Sequence, residues 1–179
     1  MNIKFALDSS VDYIILDGRG GGTAPPLRCF VIISVCPQFR PFARAYLDKM
    51  GASGRVRLII NRGLRVPMDF VKAMALGANG VAISNIAMQS IGCVAARMCN
   101  TNNCPAGVAT QAADLRQRLN VDKASRQLQN FFEASTELMS AMARACGHNH
   151  LNQFNHQDLA IWNQGIAHLS GIRYSGLTL

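Results

Sequence analysis

No stretch of this sequence is apolar for long enough to span a membrane, which takes roughly 20 residues. The longest runs, such as "YIIL" and "FVII", are far shorter. The opening "MNIKFALDSSVDY" carries one lysine and too brief an apolar stretch for a secretory signal. The chain is therefore expected in the cytoplasm, off the membrane, with its thiols reduced. Acidic residues are scarce, 10 Asp and Glu against 18 Lys and Arg, giving a formal net charge of +8. The basic residues, mostly arginine, are scattered, with no run and no aromatic interleaving, so no nucleic-acid partner is expected. Arginine's fork suits one or two phosphate or carboxylate contacts instead. Histidine is confined to His148, His150, His156 and His168 in the tail, where surface or capping roles fit. No general acid or base stands out, and catalytic residues stay unassigned.

What is present is a chain that can bury a core: 49% of its residues are hydrophobic. Asp12 to Leu16, "DYIIL", runs into the glycine-rich "DGRGGGTAPP". Val56 to Ile60, "VRLII", leads into "NRGLRVP", and Gly80 to Ser84, "GVAIS", into "NIAMQ". Between them Phe42, Tyr46, Leu47 and Met50 recur at helical spacing, as do Phe70, Val71, Met74 and Ala75 after Asp69, with Gly77 as a stop. Apolar runs that alternate with helices predict parallel strands covered on both faces. Beyond the cysteines the pattern is helical: Leu128, Phe131, Phe132, Leu138, Met142 and Ala145 form one stripe, expected to pack over the sheet. A last helix is expected at "NHQD", with Asn155 as cap and Asp158 in its first turn. Three strand–loop–helix units do not close an eight-stranded barrel. A small open sheet and the end of a larger barrel both fit.

Loops after parallel strands are where ligands bind. The "NRGLRVPMD" loop offers Gly63 and Arg65, and the "AISNIA" loop offers Ser84 and Asn85 at the start of a helix. Two such loops could share one phosphate. "GRGGGT" is not a dinucleotide fingerprint, because Pro25 and Pro26 follow it instead of a helix.

Six cysteines in a reducing compartment point to metal binding, catalysis or core packing. Cys29, Cys36 and Cys146 suit plain burial. Cys93, Cys99 and Cys104 fall within twelve positions, five residues between the first pair and four between the second, and Pro105 follows. A Cys-Pro pair also occurs in ferredoxins, where thiolates hold iron–sulfur clusters. Three thiolates fall short of the usual four, which suggests a cluster with three protein ligands. On spacing alone, iron–sulfur, zinc and no metal stay open. Cys93 is expected on a helical stretch and Cys99 near its end.

The stretch "GCVAARMCNTNNCPAGVATQ" closely resembles the iron–sulfur segment of the glutamate synthase large chain and its FMN-binding relatives. The resemblance extends to "YIILDGRGGGTAPPL", "GLRVPMDFVKAMALGANGVAISNIAMQSIGC" and "LRQRLNVDKASRQLQNFFEASTEL". It implies an α/β fold: the C-terminal part of a (β/α)8 TIM barrel, about three βα units, with a C-terminal helical extension. Residues 1–120 would be a partial FMN-binding barrel with the iron–sulfur loop at 91–110, and residues 121–179 a helical segment packing on it. A 3Fe–4S cluster would be held by Cys93, Cys99 and Cys104. Gly63, Arg65, Ser84 and Asn85 would hold the FMN phosphate, and Gly20, Gly21 and Gly22 would border the flavin.

The implied reaction is reductive formation of L-glutamate from 2-oxoglutarate and ammonia. Ammonia would come directly or from glutamine through an amidotransferase domain, and electrons from a donor protein or subunit. The family's first five strands and its amidotransferase domain have no counterpart in this sequence, so a fragment, or a chain completed by a partner that supplies strands, is expected. "LRCFVIISVCPQFRPFARAY" matches the family poorly, and Arg62 stands where the family has a glycine. Two other readings stand beside this one. A cluster-carrying subunit or inactive remnant needs a partner chain. Another FMN-dependent barrel oxidoreductase accounts for the loops but not for the cysteines.

Overall fold

The structure is a computed structural model that describes residues 2–17, 32–34, 40–61 and 63–176. The chain forms two compact units, Met1–Ala82 with Met139–Leu179, and Ile83–Leu138.

The first unit is built on a parallel sheet. Helix α1 (Asn2–Asp8) precedes strand β1 (Tyr13–Asp17), and β2 (Ile32–Ser34) is followed by α2 (Arg40–Lys49). Then come β3 (Arg57–Asn61), α3 (Pro67–Ala75) and β4 (Gly80–Ala82). All neighbours run parallel, in the order β2-β1-β3-β4. The register puts Ile14 opposite Leu58 and Leu16 opposite Ile60. These four side chains are between 0% and 2% exposed and form one fully buried face. Ala6 of α1, Ala43 and Leu47 of α2, then Ala52 and Val56, pack on Ile14, Leu16 and Leu58. Tyr13, Ile15 and Ile59, on the opposite face, are only half-buried. Among the described residues, coverage of the sheet is thus complete on one face and partial on the other, where the sequence predicts both covered.

Three strands follow the sequence pattern, β1 and β3 within a residue, while β4 ends two residues before the expected Ser84. The short strand β2 and the helix α1 were not foreshadowed by it. In consecutive barrel units each strand lies beside the next; β1, β3 and β4 obey that order, but β2 sits on the far side of β1. The sheet among the described residues is open, with parallel α/β character and no closed barrel.

Helix α2 also departs from its predicted stripe. Phe42 and Met50 are about half exposed, and the buried positions are Ala43 and Leu47. The true inward row is i, i+4 from an alanine, which a scan for large apolar residues passes over. Helix α3 follows its pattern in part: Phe70, Val71 and Ala75 are buried as expected, Ala73 is buried too, and Met74 is only half-buried. It ends at Gly77, whose φ of +94° is costly for any other residue. Asn79 then pins β4 to β3: its side-chain oxygen accepts from the Leu58 N–H at 2.9 Å, and its own N–H donates to the Leu58 carbonyl at 2.7 Å.

The second unit carries α4 (Asn85–Ser90), the cysteine loop, α5 (Ala113–Arg116) and most of α6 (Val121–Ala145). In α6 the buried residues are Ala124, Ser135, Met139 and Ala143. Phe132 and Leu138, assigned to the core stripe, are 45% and 55% exposed. The small residues mark the inward face, and the large ones lie beside it.

After α6 the chain returns to the first unit. His148 Nε2 lies 2.8 Å from Asp158 Oδ2, which also accepts from the Asn155 N–H at 2.8 Å. Asn155 caps the turn as expected, accepting from the Gln157 N–H, but that turn is a short 3-10 segment (His156–Asp158). A small parallel β–α–β unit ends the described chain: β5 (Ala160–Ile161), α7 (Gln164–Ser170) and β6 (Arg173–Tyr174). The tail is therefore not purely helical. No helix among the described residues is long and apolar enough to cross a membrane.

Candidate functional site

The predicted anion loop after β3 lies in the first unit. Gly63 has φ +74° and open space about its Cα, and Arg65 is exposed. The backbone N–H groups of Arg65 and Val66 are already taken. Both donate to Asp69 Oδ2, at 3.0 and 3.3 Å. That carboxylate satisfies donors the first turn of α3 would otherwise leave open. An anion at this loop is thus left with the Arg65 guanidinium and the backbone near Gly63.

Ser84 and Asn85 lie in the second unit. Ser84 occupies the cap position of α4, and both side chains are exposed. Gly20, Gly21 and Gly22 lie outside the described residues, as do Cys29, Cys36 and Arg62.

The cysteine loop is the most constrained feature of the second unit. Helix α4 ends at Ser90, and the Cys93 N–H donates to the Met88 carbonyl at 3.0 Å, closing the helix. Cys93 therefore follows the helix instead of sitting on it. Residues 94–98 are irregular, with Ala95 and Arg97 at φ +55° and +57°. Cys99 opens a single 3-10 turn that ends at Asn102 in the left-handed region, φ +63°. Asparagine tolerates that conformation better than most residues.

From Asn102 the chain makes a tight loop. The Thr110 hydroxyl donates to the Asn102 carbonyl at 2.6 Å, and the Gln111 N–H donates to Asn102 Oδ1 at 2.6 Å. The Thr110 oxygen in turn accepts from the Ala112 N–H at 3.1 Å. Between these ends lies Cys104, buried at 6% exposure. The backbone N–H groups of Ala109, and then of Ala106, Val108 and Gly107, hold its thiol below the ordinary value of 9.0, against an opposing push from burial. Successive N–H groups around a concavity of this kind favour a negative charge. Gly107, at φ +74°, is required twice: a Cβ there would meet the Leu115 carbonyl oxygen at 2.5 Å. Arg118 Nη1 closes the outside by donating to the Pro105 carbonyl at 3.2 Å.

The three thiols are free: Cys104 buried, Cys93 half-buried and Cys99 exposed. Among the described residues no three of His, Cys, Asp and Glu stand together as a metal-binding group. The donor chemistry nonetheless suits a thiolate-bound group. One sulfur is fixed in a thiolate-favouring cradle, and two more lie on the same short segment, outside any α-helix. The residues that build the cradle, Asn102, Gly107, Thr110 and Arg118, were not picked out from sequence. The one available signal was "NTNN" ahead of "GVAT", a left-handed asparagine and a hydroxyl placed to bond backbone.

These features define a parallel α/β architecture with a cysteine-bearing loop in the segment that follows β4, the last strand of its four-stranded sheet. The family described as the conserved region in glutamate synthase matches residues 2–149. A glutamate synthase large subunit-like protein of Rhizobium meliloti is 31% identical over 190 residues, covering 96% of this chain and 43% of that protein. An archaeal glutamate synthase [NADPH] of Methanocaldococcus jannaschii is 32% identical over 143 residues, 79% of this chain and 28% of that protein. A chloroplastic ferredoxin-dependent glutamate synthase of Oryza sativa subsp. japonica is 37% identical over 111 residues, 61% of this chain and 7% of that protein. The chain belongs to the glutamate synthase family. It spans less than half the length of these curated relatives.

Proposed function

We propose that this chain is the cofactor-bearing C-terminal portion of a glutamate synthase-type oxidoreductase. The overall reaction would be reductive formation of L-glutamate from 2-oxoglutarate and ammonia. Cys93, Cys99 and Cys104 would hold a 3Fe–4S cluster. Arg65 and the backbone at Gly63, with Ser84 and Asn85, would hold the phosphate of FMN, and Gly20 to Gly22 would border the flavin. When bound, the flavin supplies hydride chemistry and the cluster single-electron transfer; the protein supplies position and electrostatics. The observation that carries this reading is the buried Cys104 on a short irregular segment that also bears two free thiols, Cys93 and Cys99.

A second reading concerns how the chain works. It spans 43% or less of these relatives, and among the described residues its parallel sheet has β2 and β4 as open edges. Both facts favour a cluster-carrying portion that needs further strands, from a longer polypeptide or a partner, before it turns over. An electron-donor protein and, for glutamine use, an amidotransferase domain would complete the system. The test is glutamate formation from 2-oxoglutarate and ammonium with a reduced viologen dye, FMN, iron and sulfide under anaerobic conditions. The chain alone should be inactive. Mixed with the preceding portion of the Rhizobium meliloti relative it should form glutamate, and Cys99→Ser should abolish this. A loaded complex that makes no glutamate would overturn the assignment.

A further inference from the structure

A second group of polar side chains gathers in the first unit, at the opposite end of the sheet from the loop after β3. Asn79, just ahead of β4, bonds to Leu58 near the start of β3, so this is the end where the parallel strands begin. A groove of about 570 Å³ lies here, between α2, the end of α3 and the chain from Asn152 to Gln157. That size falls within the range of small-molecule sites. Met74, Ala78 and Phe154 give it an apolar lining, and Phe154 is only 5% exposed. The Arg44 side chain crosses Gly77, where a Cβ would strike its stem. Its Nε donates to Asp48 Oδ1 at 3.2 Å, and the Ser53 hydroxyl donates to the same oxygen. Arg44 Nη1 reaches Asn79 Oδ1 only at 3.5 Å. Among the described residues, Arg44 Nη2 and Asp48 Oδ2 make no hydrogen bond. The exposed side chains of Asn152 and Gln157, on the other wall of the groove, make none either.

We propose that this groove is a binding site for a free α-amino acid with a polar, uncharged side chain. The α-carboxylate takes the open edge of the Arg44 guanidinium, whose planar fork of donors matches a carboxylate. The α-ammonium group takes the open oxygen of Asp48. These two charges are opposite and one helical turn apart, so a zwitterion meets a partner for each of its ends. A simple anion or cation would meet one like charge. Asn152 and Gln157 each carry donors and an acceptor, which suits a side-chain amide. The apolar lining takes the methylenes between. The site stands apart from the candidate cofactor residues, and the proposal does not rest on the reaction proposed above.

The test is calorimetric titration of the full chain with L-glutamine, L-asparagine, L-alanine and N-acetyl-L-glutamine. L-Glutamine or L-asparagine should bind saturably with a Kd of about 1 mM or tighter. N-acetyl-L-glutamine keeps the carboxylate and the amide but lacks the ammonium group, and should bind about tenfold more weakly than L-glutamine. Arg44→Lys keeps the charge and the stem across Gly77 but removes the fork, and should weaken L-glutamine about fivefold or more. The double variant Asn152→Ala, Gln157→Ala changes two exposed side chains and should leave the fold intact. It should weaken L-glutamine about fivefold while leaving L-alanine, which has no amide, unchanged. No saturable binding of L-glutamine or L-asparagine below about 10 mM would overturn the site. So would binding as tight as wild type in both variants, which would put the ligand elsewhere. N-acetyl-L-glutamine that binds as well as L-glutamine would overturn the zwitterion assignment. None of these results bears on iron uptake or glutamate formation, which decide the proposed function separately.

Discussion

At the scale of single residues, the cysteine loop is held by positions that tolerate no other choice. Gly107 combines a left-handed backbone with a backbone oxygen where a side chain would begin, so neither demand can be relieved by a neighbour's rotamer. Gly107→Ala should destabilise the chain by about 2 kcal/mol, read as a fall in denaturation midpoint. Gly77 is similarly placed: a Cβ there would meet Arg44 Cγ at 2.5 Å and Arg44 Cβ, which no rotamer moves, at 2.9 Å. Gly77→Ala should likewise cost about 2 kcal/mol. A loss under about 0.5 kcal/mol in either variant would show that its neighbours give way. Of these features, Gly77 and Asp69 were legible in the sequence because helix ends carry local signals. The Asn102–Thr110 clasp was not, because it joins residues eight apart through side-chain-to-backbone bonds that no periodicity records.

At the scale of elements, strands β1, β3 and β4 were legible as short apolar runs between glycine-rich loops. Strand β2 lies inside "LRCFVIISVCPQF", a run with no polar alternation to mark its register, and its pairing on the far side of β1 is a tertiary outcome. Helix α6 shows how a pattern misleads. Its length was clear, but its stripe was drawn through the largest side chains, whereas burial falls on Ala124, Ser135, Met139 and Ala143. Adjacent residues now give opposite expectations. Met139→Ala, at a position 8% exposed, should cost about 2–5 kcal/mol. Leu138→Ala, at 55% exposure, should stay within about 0.5 kcal/mol of wild type. Chemical denaturation of the pair decides it; a larger loss for Leu138→Ala would restore the sequence-based stripe and refute the helix orientation.

At the scale of the whole molecule, membership of the glutamate synthase family was legible from the cysteine spacing and the flanking "GVATQ", and it covers residues 2–149. The remaining tail, with its His148–Asp158 link and small β–α–β unit, carries no such motif. A parallel sheet is ordinarily covered on both faces. Here one face is fully buried, the other is half-open, and two edges are unpaired among the described residues. That is the condition expected of a portion of a longer assembly, and it agrees with a chain that spans 43% or less of the relatives compared. The cysteine loop asks less of that assembly, because its constraints are internal to residues 102–118. Cluster binding should therefore be measurable in the chain as it stands. The decisive measurement is iron content and electron paramagnetic resonance after anaerobic reconstitution with iron and sulfide, for wild type, Cys104→Ser and Cys146→Ser. Stoichiometric iron and a cluster signal are expected in wild type and in Cys146→Ser, and their loss in Cys104→Ser. A wild-type chain that stays colourless and iron-free, or a Cys104→Ser chain that loads as well as wild type, would contradict the central claim that this loop holds an iron–sulfur cluster.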